Sequence, residues 1–254
     1  MVPSPVAGKT AAVIGASSGI GRAIACKLAE AGANLYLHAR QNEAGLAETA
    51  ERVTSLGRET NRCLLDLSQE GGAESLVDSA WQWRPVDIWV HVAGADVLTG
   101  DAATTSFTEK LDQLWRVDVR ATMLACRAIG ELMQPRGGVI LTIGWDQVAI
   151  GMEGDSGQLF TATKGAVMAF TRSLAKSLAP TVRVNGIAPG WIRTKWGQQA
   201  PAEWQQRAVR ESLVGRWGEP EDVASTAAFL ASPAGEFITG QIIEVNGGYC
   251  SWQD

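Results

Sequence analysis

The chain has 254 residues, 46% hydrophobic and 19% charged, with a formal net charge of −5. Such a composition buries one large core and excludes a disordered chain. No Lys/Arg run points to nucleic acid, no apolar run reaches the roughly 18 residues of a membrane span, and four scattered cysteines with two histidines make no metal cluster.

Short runs rich in Val, Ile and Leu alternate with longer helical patterns along the chain. A strand at Thr10–Ile14 leads to a helix near 19–31, and a strand at Asn34–Ala39 to a helix near 43–56. Strands at 62–65 and 86–92 precede helices near 70–83 and 105–133. Strands at 139–143 and 182–188, a helix near 158–178, a helix near 219–231 and a strand at 241–245 complete the series. The strands lack polar alternation, as expected when both faces of a sheet are covered. Gly32 stands where a helix end wants a left-handed residue, and Pro220 opens the last helix. The alternation implies right-handed crossovers and one doubly wound sheet. The expected fold is therefore α/β, Rossmann-type, with a seven-stranded, mainly parallel sheet and helices on both faces. A single dinucleotide-binding domain over 1–254 is expected. Residues 191–218 carry Trp191, Trp196, Trp204 and Trp217 with little periodicity and read as a substrate flap.

The turn after the first strand reads Gly15-Ala16-Ser17-Ser18-Gly19-Ile20-Gly21 and runs straight into a helix. Glycines there allow a sharp turn and a close approach to a pyrophosphate, whose charge the helix N–H groups hold. At the end of the second strand Ala39 precedes Arg40, so no carboxylate repels a ribose 2′-phosphate and a guanidinium is at hand. Arg40 reads either as that phosphate ligand or as a solvated surface residue. NADP is favoured over NAD.

These motifs and those that follow resemble the short-chain dehydrogenase/reductase family over nearly the whole chain. Asp66-Leu67 matches the pair that meets the adenine, and Ala93-Gly94 ends a degenerate NNAG motif begun by His91 and Val92. Lys164 closes a YxxxK motif, Asn185 with Pro189-Gly190 matches N-x-x-x-PG, and Ile192 and Thr194 follow where a hydroxyl holds the nicotinamide amide. The resemblance implies a homotetramer or homodimer built on the long helices near 105–133 and 158–178. It also implies a Tyr, a Lys, a Ser and an Asn that carry the proton chemistry. Only Lys164 is kept. Phe160 stands at the Tyr position, Trp145 at the Ser position and Asp118 at the Asn position. Phenylalanine has no proton to give, and an indole N–H cannot relay one.

The segment from Trp145 to Phe160 is longer than usual, so Asp146 or Gln147 can instead fall at the Ser position. Asp146, Glu153, Asp155 and Ser156 read either as solvated loop groups with a helix cap near Ser156-Gly157, or as a replacement acid/base set. The catalytic candidates are Lys164, Asp146 and Asp118, with Lys164 expected to favour the ionised form of Asp146. Three readings follow: an oxidoreductase with altered chemistry, a silent NADP-binding sensor or partner subunit, and a non-redox enzyme on the same fold. A small-molecule substrate is expected, with no metal, nucleic acid or membrane. Residues 1–8 lack a signal-peptide pattern, so the cytoplasm is the expected location, with Cys26, Cys63, Cys126 and Cys250 as buried, reduced thiols.

Overall fold

In the computed structural model, which describes residues 5–249, the first strand β1 (Thr10–Ile14) is buried along its whole length. It pairs in parallel with β2 (Asn34–Ala39) on one side and β4 (Ile88–His91) on the other. β3 (Thr60–Leu64) lies outside β2, while β5 (Gly138–Ile143), β6 (Val182–Pro189) and β7 (Ile242–Val245) extend beyond β4. The order is β3-β2-β1-β4-β5-β6-β7, and every pairing is parallel. The chain winds outward one way from β1 and then the other way from β4. That reversal opens a crevice at their carboxyl ends, where such sheets place ligands.

Two apolar layers enclose the sheet. One joins its first face to α1 (Gly19–Glu30), α2 (Glu43–Ser55) and α9 (Pro220–Ala231) through Ile24, Leu28, Val53, Val223 and Leu230. The other joins the opposite face to α3 (Gly72–Trp83), α5 (Thr122–Met133) and α6 (Gly154–Leu178) through Leu76, Trp89, Ile129 and Leu174. Gly32 follows α1 with φ +102°, and Pro220 occupies the first turn of α9, as the sequence indicates.

Three details differ from the sequence reading. The stretch 105–133 is not one regular helix: α4 (Phe107–Leu114) passes into a π-helical turn, Trp115–Ala121, before α5 begins. α6 starts at Gly154 with Glu153 at its cap position, so Ser156 lies within its first turn. Residues 191–218 contain two short helices, α7 (Lys195–Gln199) and α8 (Ala202–Arg210). Of the cysteines, Cys126 is buried but Cys26, in α1, and Cys63, on the edge strand β3, are only half-buried; Cys250 lies outside the described residues. Among the described residues no helix is long and apolar enough to cross a membrane, and no group of three acidic, His or Cys side chains is placed to hold a metal.

Candidate active site

The turn after β1 shows why glycine is needed there. Gly15 has φ +93°, and a Cβ on it would stand 2.8 Å from the Ala93 nitrogen at the end of β4. A Cβ on Gly21 would collide with the Gly15 carbonyl oxygen. The backbone can therefore fold flat against the sheet, and α1 presents its first turn to the crevice. Ser18 at its cap position makes no side-chain capping bond, which leaves the helix N–H groups to an anion.

This turn forms one wall of a cleft of about 670 Å³ at the carboxyl ends of β1, β2 and β4. The cleft is lined by Gly15, Ser17, Ser18, Gly19, Ile20 and Gly21, and farther along by Arg40, Asp66, Leu67, Ala93, Gly94 and Thr194. The volume and the donor set fit a dinucleotide. Pro189, Gly190 and Ile192 lie outside the lining, around the end of β6. Trp196 of the expected flap also lines the cleft, as do Asn42, Asp96 and Lys195, which the sequence reading did not single out. No motif marks them, since loops and α7 bring them in from separate parts of the chain. His38 and His91 lie buried at the ends of β2 and β4, where burial lowers their pKa values to about 4 and about 3 and keeps both rings neutral.

Beside the cleft, next to Gly94 and Ala95 but with Lys164 outside the lining, a buried ion pair links two elements. Asp118, 1% exposed, projects from the π-helical turn, and Lys164, 13% exposed, from α6; Lys164 Nζ lies 2.8 Å from Asp118 Oδ2. The other carboxyl oxygen, Oδ1, accepts the Ala95 N–H at 2.7 Å. A Cβ on Gly94 would come within 2.9 Å of Oδ2, so glycine lets the β4 loop close over the carboxylate. The π-helical turn sets this geometry, because its wider coil inserts a residue into the helix without ending it.

One turn before Lys164, Phe160 meets Trp145 edge-on, with ring centroids 6.2 Å apart and planes at 69°. Phe160 also packs on a small cluster of Val97, Leu114 and Leu159. Neither ring of this contact carries a hydroxyl.

Asp146, 8% exposed, begins the short turn after β5. Its Oδ2 lies 2.9 Å from where a Cβ on Gly190 would stand, beside Asn246 at the end of β7. Its Oδ1 has no hydrogen-bond partner among the described residues. Burial raises its pKa to about 6, against hydrogen bonds from Asn246 and Gln147 that pull it down. The expectation that Lys164 favours an ionised Asp146 is corrected here: the ammonium is taken by Asp118, and burial is what dominates at Asp146.

Glu153 is held by Arg207 of α8 at 2.5 Å, and Asp155 is exposed. Arg207 also bonds Glu211 at 2.7 Å and lies 5.1 Å from the centre of the Trp204 ring. Trp191 stacks on Trp196, meets Trp204 and Trp217, and donates its indole N–H to Glu211 at 2.8 Å. The four tryptophans thus form one packed cluster, clipped to the β5–α6 loop through Arg207. Tyr36 is core, with its hydroxyl donating to Ser79. Tyr249 pairs with Ser212, and burial and the Glu211 carboxylate raise its phenol above the ordinary value.

A parallel sheet with this winding, a glycine turn opening α1 and a lysine on the long helix beside the cleft define a dinucleotide-type α/β oxidoreductase scaffold. The chain belongs to the short-chain dehydrogenase/reductase family: the family model described as enoyl-(acyl carrier protein) reductase matches residues 15–250. The chain is 34% identical over 251 residues to an uncharacterized oxidoreductase, YmfI, of Bacillus subtilis, covering 95% of this chain and 98% of that one. It is 31% identical, with TM-score 0.87, to a 3-oxoacyl (acyl-carrier-protein) reductase from Agrobacterium tumefaciens with NADP bound, covering 97% and 96% of the two chains. A 7α-hydroxysteroid dehydrogenase complexed with NADH and 7-oxo glycochenodeoxycholic acid superposes with TM-score 0.88 at 28% identity, covering 99% and 98%.

Proposed function

We propose that this protein is an NADP(H)-dependent oxidoreductase whose proton chemistry does not run through the hydroxyl groups usual in its family. The observation that carries the reading is the buried Lys164–Asp118 pair, with Phe160 one helical turn away in a contact with Trp145 that offers no hydroxyl. When bound, the dinucleotide supplies or accepts a hydride. Lys164 is suited to hold its ribose, Thr194 its carboxamide and Arg40 a 2′-phosphate, while the turn at Gly15 to Gly21 receives the pyrophosphate. Asp118 fixes the Lys164 ammonium in place. Burial raises the Asp146 carboxyl to about 6, and we assign it the role of acid/base, with residues 191–218 as the flap over the substrate. The protein acts on a small molecule in the cytoplasm as a homo-oligomer.

A second reading, a silent NADP-binding partner subunit or sensor, is favoured by the same Trp145–Phe160 contact, because neither ring can pass a proton to a substrate. Turnover separates the two. On ordinary ketones and aldehydes the protein reduces at rates near background with NADPH, since loss of a general acid alone costs about 10²–10⁴. A turnover of about 1 s⁻¹ on a simple carbonyl, measured by NADPH absorbance, overturns the proposal of non-standard chemistry. If a substrate is turned over, Asp146→Asn lowers kcat by about 10² or more with NADP affinity unchanged.

A further inference from the structure

We propose that Lys195 selects the substrate, holding a carboxylate on it by a charge-assisted hydrogen bond, so that the site takes organic acids. The inference rests on the dinucleotide reading above and adds the substrate class. The carboxylate is a handle outside the redox step, so the proton assigned to Asp146 is unaffected.

The starting point is an inventory of cations. Two line the cleft, Arg40 and Lys195. Three strands of the sheet separate β2, which leads to Arg40, from β6, which leads to Lys195, so the two serve separate anions. Elsewhere in the flap, Arg193 pairs with Glu219, Arg207 with Glu153 and Glu211, and Arg216 with Asp222. Lys195 makes no ion pair or hydrogen bond among the described residues. Asp96 of the β4 loop senses the Lys195 charge without pairing with it. Its carboxylate accepts the N–H groups of Leu98 and Thr99, each at 3.0 Å, and the Thr99 hydroxyl. The ammonium at the cleft is therefore left for a ligand.

Two sources offer an anion there, the dinucleotide's diphosphate and a carboxylate on the substrate. Thr194 lies against the glycine turn, with its methyl 3.5 Å from where a Cβ on Gly19 would stand, so the diphosphate passes close by. That group already has the open N–H groups of α1. The lining shared with Lys195 is of another kind. Leu98, Val117 and Trp196 are apolar, and Val117 directly precedes Asp118, the partner of Lys164. A diphosphate gains nothing from such a wall. An organic acid buries its carbon frame against it and turns its carboxylate to the ammonium, the usual build of a small-molecule site with one placed charge.

Calorimetric titration of the NADP-loaded protein at pH 8 tests the inference without turnover, with benzoate, phenylacetate and 4-phenylbutyrate each set against its neutral amide. We expect the best-bound acid to bind about tenfold tighter than its amide, and the preference to shrink as salt rises. Lys195 is exposed, so its substitution leaves the core intact. Lys195→Gln removes the preference and Lys195→Arg keeps it, while NADP affinity in Lys195→Gln stays within about twofold of the parent. Binding of none of the acids, equal binding of acid and amide, or a preference indifferent to Lys195→Gln overturns the inference. So does a roughly tenfold loss of NADP affinity in Lys195→Gln, which assigns the ammonium to the diphosphate. A prior titration of the parent with NADP alone separates the two levels. Failure there overturns the dinucleotide reading and this inference together, whereas NADP binding without acid preference overturns the inference only.

Discussion

Two side chains at the site have consequences that reach beyond catalysis. Arg40 lies exposed at the mouth of the cleft, in the lining shared with Asp66 and no acidic neighbour from β2. NADPH is therefore expected to bind more tightly than NADH, and Arg40→Ala to remove that preference; equal affinities by fluorescence titration refute the assignment. Asp146 makes a prediction in stability. Its carboxyl titrates near 6 in the folded protein because burial disfavours the charged form, and near 3.8 when unfolded. The native state thus holds the proton more tightly, and stability is highest below the unfolded value and lost as pH rises through about 6. Asp146→Asn abolishes that loss, so its stability relative to the parent rises by about 2 kcal/mol between pH 4.5 and 7.5 in urea denaturation. A difference independent of pH contradicts a raised carboxyl pKa. The sequence placed Asp146 near the site but not its surroundings, because Gly190 and Asn246 reach it from the ends of β6 and β7, 44 and 100 residues away in the numbering.

The elements show where periodicity stops informing. Strand–helix alternation was most legible in the central strands, which are covered on both faces and so demand apolar runs, whereas the edge strands β3 and β7 are partly exposed. The π-helical turn at Trp115–Ala121 was not, because one inserted residue shifts the apolar face slightly and leaves composition unchanged. Its effect is large all the same: it directs Asp118 at Lys164, a pairing across 46 positions that no spacing rule could have suggested. Residues 191–218 were singled out by their tryptophans, yet their tie to the β5–α6 loop depends on Arg207, an ordinary-looking helix residue. Exposed ion pairs are weak, and Glu153 is largely exposed, so Arg207→Ala should lower global stability by only about 1 kcal/mol. Its mark should be local. Hydrogen exchange across 191–218 is expected to speed up about tenfold while β1 and β4 stay protected; a uniform change across the protein argues against a clip.

At the scale of the whole molecule, large apolar side chains stand on the surface in several places. Trp115, Phe107 and Leu132 stand partly exposed on the α4–α5 stretch, and Phe237 is fully exposed with Phe229 nearby, just before β7. β7 ends the sheet, and its outer side has no partner strand among the described residues. Open edges and clustered apolar side chains of this kind are usually covered by another chain. Two patches on separate elements allow two interfaces, which is the requirement for a dimer of dimers. The protein is accordingly expected to sediment at two or four chain masses at micromolar concentration. Trp115→Glu and Phe237→Glu, each burying a charge in one contact, should each lower the assembly by one step, and the two together should give a monomer. Neither residue lines the cleft, so NADP affinity serves as the control for folding in all three variants. A monomeric parent, or a tetramer that survives both charges, refutes the assignment of these two faces.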